Sequence, residues 1–307
     1  MSEVQITLAT ENDLPALASF MSSNTAKEIS AEELRHWYFG NPTGSASVCI
    51  GWNDRQIIGM ATTNDHRFGS AGSKVLVAMP QRVLTDPAWR GRGVFNKLYW
   101  RSEEECLRRG VSFFLTVTNQ TSTPIFLGKF AYQRCKVPQA FYLPPVVSVS
   151  KSRSSPEGTI GGEQDLPVDR TWRMLKDRDH YRWRFEELPD PSHLILPIVH
   201  AGRYQGDLYL KRFRRKGLPF MLLLDMVPID REAVPLLLNH ARREAFKNGC
   251  VGLLVLSTGM MREAIAGNWS VTLSSNFNLL VKGKDPNETA ELAHMDFDLS
   301  FGDLDFL

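Results

Sequence analysis

The sequence predicts an α/β fold arranged as two successive domains, and three observations carry that prediction. The chain is 307 residues long, more than a single hydrophobic core usually organises. Stretches with strand-like alternation and stretches with helical period follow one another along its length. A strand, helix, strand pattern in the first half returns in the second at a fixed offset.

In order, residues 4–8 alternate as a short strand, and Thr10 caps a helix whose apolar positions are Leu14, Leu17, Ala18 and Met21. A second helix covers residues 31–38. Residues 47–52 and 56–62 flank Asn53, Asp54 and Arg55 as a hairpin, and a long strand over residues 74–84 ends at Asp86-Pro87. Gly93 opens a helix with Phe95, Leu98, Tyr99, Ser102 and Cys106 on one face, Gly110 closes it, and an apolar strand fills residues 111–118. Residues 151–169 are rich in Ser, Gly, Pro and charge and lack periodicity, which sets a first domain at 1–148, a linker at 149–170 and a second domain at 171–307. Within the second domain, residues 172–188 read as an Arg-rich amphipathic helix, 193–213 and 220–227 as strands, 232–248 as a helix closed by Gly249, and 251–257 as a strand. Val234, Leu237, Leu238, Ala241, Ala245 and Gly249 lie 139 positions beyond Phe95, Leu98, Tyr99, Ser102, Cys106 and Gly110. A shared cap and equal helix-to-strand spacing point to internal duplication rather than to helical period alone.

Composition excludes some functions. A net charge of +2 with 23% charged residues gives no global attraction to nucleic acid or to a membrane. Cys49, Cys106, Cys135 and Cys250 are far apart and lack metal-ligand spacing, the usage expected in a reducing compartment such as the cytoplasm. No stretch reads as a membrane span or as a signal peptide. Asp296, Asp298, Asp303 and Asp305 could suggest a metal, but Met295, Phe297, Leu299 and Phe301 interleave with them as on a strand with one buried face, so no metal is expected.

The chemistry-bearing segment is Arg90-Gly91-Arg92-Gly93-Val94, between a strand and a helix. A helix N-terminus offers unsatisfied N–H donors and partial positive charge, glycines let an anion approach them, and two arginines add phosphate partners. A pyrophosphate is the expected ligand. Applying the repeat offset places Ile229, Asp230, Arg231 and Glu232 at the corresponding place in the second half, where two carboxylates replace both glycines.

This segment resembles the GNAT acyltransferase superfamily, whose signature is Gln or Arg, two variable residues, Gly, one variable residue, and Gly or Ala. Arg90 and Gly93 match, and Phe95 stands where the last small residue is usual. The resemblance implies two tandem GNAT-like domains, each a central mixed sheet flanked by helices, the second degenerate. It implies acetyl-CoA or another acyl-CoA as co-substrate, bound by Arg90, Gly91, Arg92, Gly93, Val94 and Phe95 at the turn, by backbone groups of Val83 and Leu84, and by Asn119 and Phe126. Phe126 falls on the position of the family's tyrosine acid, so Tyr132, the nearest tyrosine, and His66 become the candidate catalytic groups. Arg182, Trp183 and Arg184 are candidates for binding a small-molecule acceptor, with an interdomain packing role as the alternative. The function expected is acyl transfer to an amine, such as that of an amino sugar or amino-acid-like metabolite, by direct attack on the thioester; the alternative is a CoA-binding module without catalysis.

Overall fold

The computed structural model describes residues 4–25, 27–147, 170–187, 190, 192–257, 259, 261–274 and 277–304. The stretch read as a linker therefore lies almost wholly outside the described residues, as does Asp305. The chain divides into two compact units that are not contiguous in sequence: residues 1–136, 168–170 and 277–295 form one, and residues 137–167, 171–276 and 296–307 the other.

In the first unit, β1 (Gln5–Leu8) is followed by α1 (Leu14–Asn24) and α2 (Ala31–Phe39). Thr10 and Asp13 form a capping box ahead of α1, and Ser30 caps α2 by accepting from the Glu33 amide at 3.0 Å. β2 (Ser47–Asn53), β3 (Gln56–Ser70) and β4 (Ser73–Thr85) form an antiparallel meander. Its two turns hold Asp54 and the pair Ala71-Gly72 in the left-handed region. α3 (Val94–Arg108) crosses to β5 (Phe113–Thr118), parallel to β4, and α4 (Thr123–Lys129) and β6 (Gln133–Arg134) follow. Leu14, Leu17, Met21, Leu34 and Tyr38 of α1 and α2 pack with Ile50, Ile57 and Met60. Val94 and Leu98 of α3 pack with Cys49, Ile58 and Ala61.

In the second unit, β7 (Ala140–Leu143) and β8 (Trp172–Met174) precede α5 (Arg178–Tyr181), which runs into a π-helical turn at Arg182–Glu186. The continuous helix expected over 172–188 does not form. The Asp177 carboxylate accepts from the His180 amide at 2.8 Å and fixes a helix start at Arg178. β9 (His193–His200) and β10 (Arg203–Arg215) make a hairpin through Ala201-Gly202, both at positive φ. β11 (Leu218–Pro228), α6 (Val234–Lys247), β12 (Leu253–Leu256), α7 (Met261–Ala266) and β13 (Val271–Leu273) complete a sheet of order β13-β7-β12-β11-β10-β9, in which only β11 and β12 are parallel. The order β10, β11, α6, β12 repeats that of β3, β4, α3, β5, and Gly110 and Gly249 both take positive φ after their helices.

The chain then returns to the first unit. β14 (Asn278–Lys282) inserts between β5 and β6, antiparallel to both, and α8 (Pro286–Ala293) follows. Leu279, Leu280 and Val281 are fully buried there. β15 (Phe297–Asp298) pairs with β8 in the second unit. Both units are thus mixed sheets flanked by helices, and the first is completed by a strand that follows the second in sequence.

Candidate functional site

The site is built at the end of β4. The Asp86 amide donates to the Ile58 carbonyl at 2.9 Å, and its carboxylate accepts from the Ala88 amide at 2.8 Å, so the chain leaves the strand in a short 3-10 turn anchored on β3. Gly91 and Gly93 both take φ +75°, a conformation costly for any other residue type, and Gly93 sits immediately before α3. A Cβ at either glycine would meet no atom within 4 Å. The helix N-terminus therefore has no side chain closing it, and its leading N–H groups are the donors a phosphate needs. Arg90 donates from Nε to the Thr85 carbonyl at 3.2 Å, and the Arg92 guanidinium lies 4.9 Å from the Trp89 ring centroid; both side chains stand at the exposed rim. Val94 is buried against Leu98 and Cys49 and fixes the first turn of the helix.

Beside this turn the sheet opens. β4 and β5 are in register only at Val77 with Phe113 and Ala78 with Phe114, after which the strands part. β4 stays on β3 through Thr85, and the register shift there places an extra β4 residue beside Thr62, a bulge at Gln81 and Arg82. Thr116 of β5 donates from Oγ1 to the Pro80 carbonyl at 3.0 Å at the start of the opening. Val83 and Leu84 pair with Ala61 and Met60 and present their other backbone edge to the opening.

Phe95 leaves the first turn of α3 toward α4, its ring centroid 6.2 Å from Phe126 and 5.4 Å from Phe130. Phe126 and Tyr132 are 5.2 Å apart, and all three belong to one core cluster with Tyr99 and Phe114. Phe95, which departs from the signature, and Phe126, which stands at the family's tyrosine position by resemblance, thus pack side by side. The Tyr132 hydroxyl is hydrogen-bonded to that of Tyr99, and burial pushes both phenols well above their usual range. Glu103, one turn further along α3, has its carboxyl raised by burial against the pull of Lys282, which donates to it at 2.7 and 2.8 Å. Asn119 ends β5 by accepting from the Thr121 and Ser122 amides at 2.9 and 3.0 Å.

His66 lies in the middle of β3, buried, two residues beyond Asn64 on the same face. The structure thus brings Phe95, Phe126 and Tyr132 together on the α3 side and His66 onto the other side of the sheet. Sequence reasoning ended this strand at Thr62, because Thr62, Thr63, Asn64, Asp65 and His66 are polar; in fact all five are buried and the strand runs on to Ser70. A polar run between Met60-Ala61 and Phe68 was the available signal. Asp65 is tied to Arg109 at 2.8 Å, and burial nonetheless pushes its carboxyl up.

In the second unit, Arg182 is exposed and paired with Glu187 at 2.8 Å, whereas Trp183 and Arg184 are buried. Arg184 donates to the Gly302 and Leu304 carbonyls at 3.0 and 3.2 Å, a packing role in its own unit. At the place corresponding to Gly91, the Asp230 carboxylate accepts from the Ala233 amide at 2.8 Å ahead of α6. There the protein's own charge occupies the helix end. Asp298 and Asp303 of the acidic quartet are held by Arg173 at 2.9 Å and Lys176 at 2.6 Å. Among the described residues no His, Cys, Asp or Glu group could hold a metal, and no helix is long and apolar enough to cross a membrane.

Residues 5–135 match the family model described as an acetyltransferase (GNAT) domain. Among solved structures, the chain shares its fold with a GCN5-related N-acetyltransferase from Anabaena variabilis at TM-score 0.67 and 12% identity, over 95% of this chain and 75% of that one. A protein from Enterococcus faecalis described as a probable N-acyltransferase gives TM-score 0.67 at 10% identity over 93% and 74% of the two chains. A GCN5-related N-acetyltransferase from Kribbella flavida gives 0.62 at 13% over 95% and 74%. No curated protein matches the chain. The glycine turn before α3, the parted strands β4 and β5 and the family match all fall in one stretch, residues 5–135, and that stretch is a GNAT-type domain.

Proposed function

We propose that the chain moves an acetyl or other acyl group from acyl-CoA to the amine of a small molecule, in its first unit only. The observation that carries this reading is the uncapped α3 N-terminus, with Gly91 and Gly93 at φ +75°, beside strands that part after Ala78 and Phe114. The residues present suit the co-substrate. The amides at the turn, with Arg90 and Arg92, would hold the pyrophosphate, Val94 and Phe95 would set the helix start, and the free backbone edge of Val83 and Leu84 would hydrogen-bond the pantetheine arm, with Asn119 and Phe126 flanking it. An amine attacking the thioester must lose a proton. His66, on the face of β3 opposite α3, is the base we assign to that step. A leaving thiolate with an ordinary pKa of about 8.5 departs with little help, and Tyr132, the tyrosine nearest Phe126 in sequence and hydrogen-bonded to Tyr99, is the acid we assign to it.

A second reading, CoA binding without catalysis, is favoured by one observation: Phe126 occupies the tyrosine position, and the Tyr132 hydroxyl is already engaged inside the core. Both readings share the binding site, so the first test is of binding. Arg90→Ala with Gly93→Val removes a phosphate partner worth about 1.5–3 kcal/mol and puts a β-branched residue at positive φ. CoA affinity measured by calorimetry should fall by at least tenfold in the folded variant; unchanged affinity would place the site elsewhere. Thiol release on adding amines to the wild-type protein and acetyl-CoA then separates the catalytic reading from the binding one.

A further inference from the structure

Gly59, Thr63 and Asp65 of β3 turn toward α3: a Cβ on Gly59 would lie 2.9 Å from Leu98, Thr63 and Ser102 hydroxyls are 2.8 Å apart, and Asp65 meets Arg109 at 2.8 Å. Strand alternation puts Thr62 and Asn64 on the opposite face. Both are 1–2% exposed, yet Thr62 Oγ1 and Asn64 Oδ1 have no hydrogen-bond partner. Asn64 is held in place, because its Nδ2 donates to Gln81 Oε1 at 2.8 Å from the bulge of β4. Buried polar atoms left unpaired are costly and call for an explanation.

We propose that Thr62 and Asn64, braced by Gln81, form the acceptor subsite, and that they take the N–H and O–H donors of a polyhydroxylated amine of the amino-sugar class. The proposal rests on the acyltransferase reading of the first unit. The Gln81–Arg82 bulge lies where β4 leaves β5, and on the α3 side the sheet is filled by the aromatic cluster of Tyr99, Phe126 and Phe130. The acceptor therefore comes from the face of Thr62 and Asn64. Residues two apart on a strand are separated by roughly 7 Å, so one rigid molecule with several donors engages both, whereas a simple alkylamine engages one. An amide oxygen accepts from ammonium or hydroxyl and repels a carboxylate. Both atoms are closed to water, where a hydrogen bond discriminates most, and the groups packed over them must part as the acceptor enters.

The test uses the full chain with acetyl-CoA and two probes, D-glucosamine and n-hexylamine. Thr62→Val and Asn64→Leu should each raise the glucosamine KM roughly 3- to 10-fold, whereas at most one of them should raise that of hexylamine; CoA affinity should stay as it is, and Thr62→Val should keep or raise Tm, because it removes an unpaired buried hydroxyl. Equal losses for both amines in both variants, or an unchanged glucosamine KM, overturns the subsite. Calorimetric binding of glucosamine to the CoA-saturated protein separates the two layers. Saturable binding weakened roughly 3- to 10-fold by Asn64→Leu, without turnover of either amine, upholds the subsite and sinks acyl transfer. Hexylamine turnover with no glucosamine binding or turnover upholds acyl transfer and sinks the subsite. Failure of both probes in binding and turnover sinks both.

Discussion

Gly91 and Asp230 stand at equivalent places ahead of α3 and α6, and they leave opposite potentials. Glycine exposes the helix end, whereas the Asp230 carboxylate bonds the Ala233 amide and Glu232 adds a second negative charge in the first turn. Titration should therefore give one CoA per chain. Asp230→Gly with Glu232→Gly should leave that stoichiometry unchanged, while Arg90→Ala with Gly93→Val should abolish it; two equivalent sites would refute the argument. The cysteines give a second residue-scale expectation. Burial pushes the thiols of Cys49, Cys106 and Cys135 up to about 12, and that of Cys250 also upward, against about 8.5 for an unfolded thiol. Because the folded values are raised, nothing is lost below about pH 8.5. Above it the unfolded chain releases protons that the folded chain keeps, and stability should decline toward pH 12. Native protein at pH 8 should accordingly stay silent to an aromatic disulfide reagent, and all four cysteines should react in guanidinium. A rapid native reaction would show that one of them is not enclosed.

At the scale of elements, the segment read as one Arg-rich helix is the instructive miss. Met174, Tyr181 and Phe185 share a helical spacing, but Trp172–Met174 is held extended by Phe297–Asp298, a partner more than 120 residues away that no local pattern reveals. That arrangement places Lys176 in the interior with Asp225 at 2.7 Å and Asp303 at 2.6 Å, and the Tyr181 hydroxyl donates to Asp225 at 3.2 Å. Burial works against the Lys176 charge, but the two carboxylates outweigh it and hold the ammonium above the usual lysine range. Lys176→Met strands both carboxylates and should cost about 3–5 kcal/mol in urea unfolding. A loss below about 1 kcal/mol would mean the carboxylates protonate or rehydrate without structural cost. The turn before α3, by contrast, was legible outright, because glycines at positive φ and a helix start are local chemistry. The polar face of β3 was not, because whether a polar run is exposed or buried depends on elements distant in sequence.

For the whole molecule, the alternation of strands and helices and the 139-residue repeat were readable, but the assignment of the last segment was not. Nothing in Leu279-Leu280-Val281 says that it belongs beside β5 rather than in the nearer sheet. A fragment ending at residue 148 contains the turn and the family match, yet lacks β14, whose three central residues are fully buried between β5 and β6. Such a fragment should be insoluble or unfolded by circular dichroism and amide exchange, and appending residues 277–295 to it should restore order; a stably folded 1–148 fragment would show that β14 is dispensable. The same arrangement has a consequence during synthesis. About 160 residues separate the end of β5 from the end of β14, and at roughly 5–20 residues per second the ribosome needs some 8–30 s to supply them. For that interval the nascent first unit holds a raw sheet edge and an unfilled seam, so the emerging chain depends on whatever shields it at the ribosome until β14 arrives.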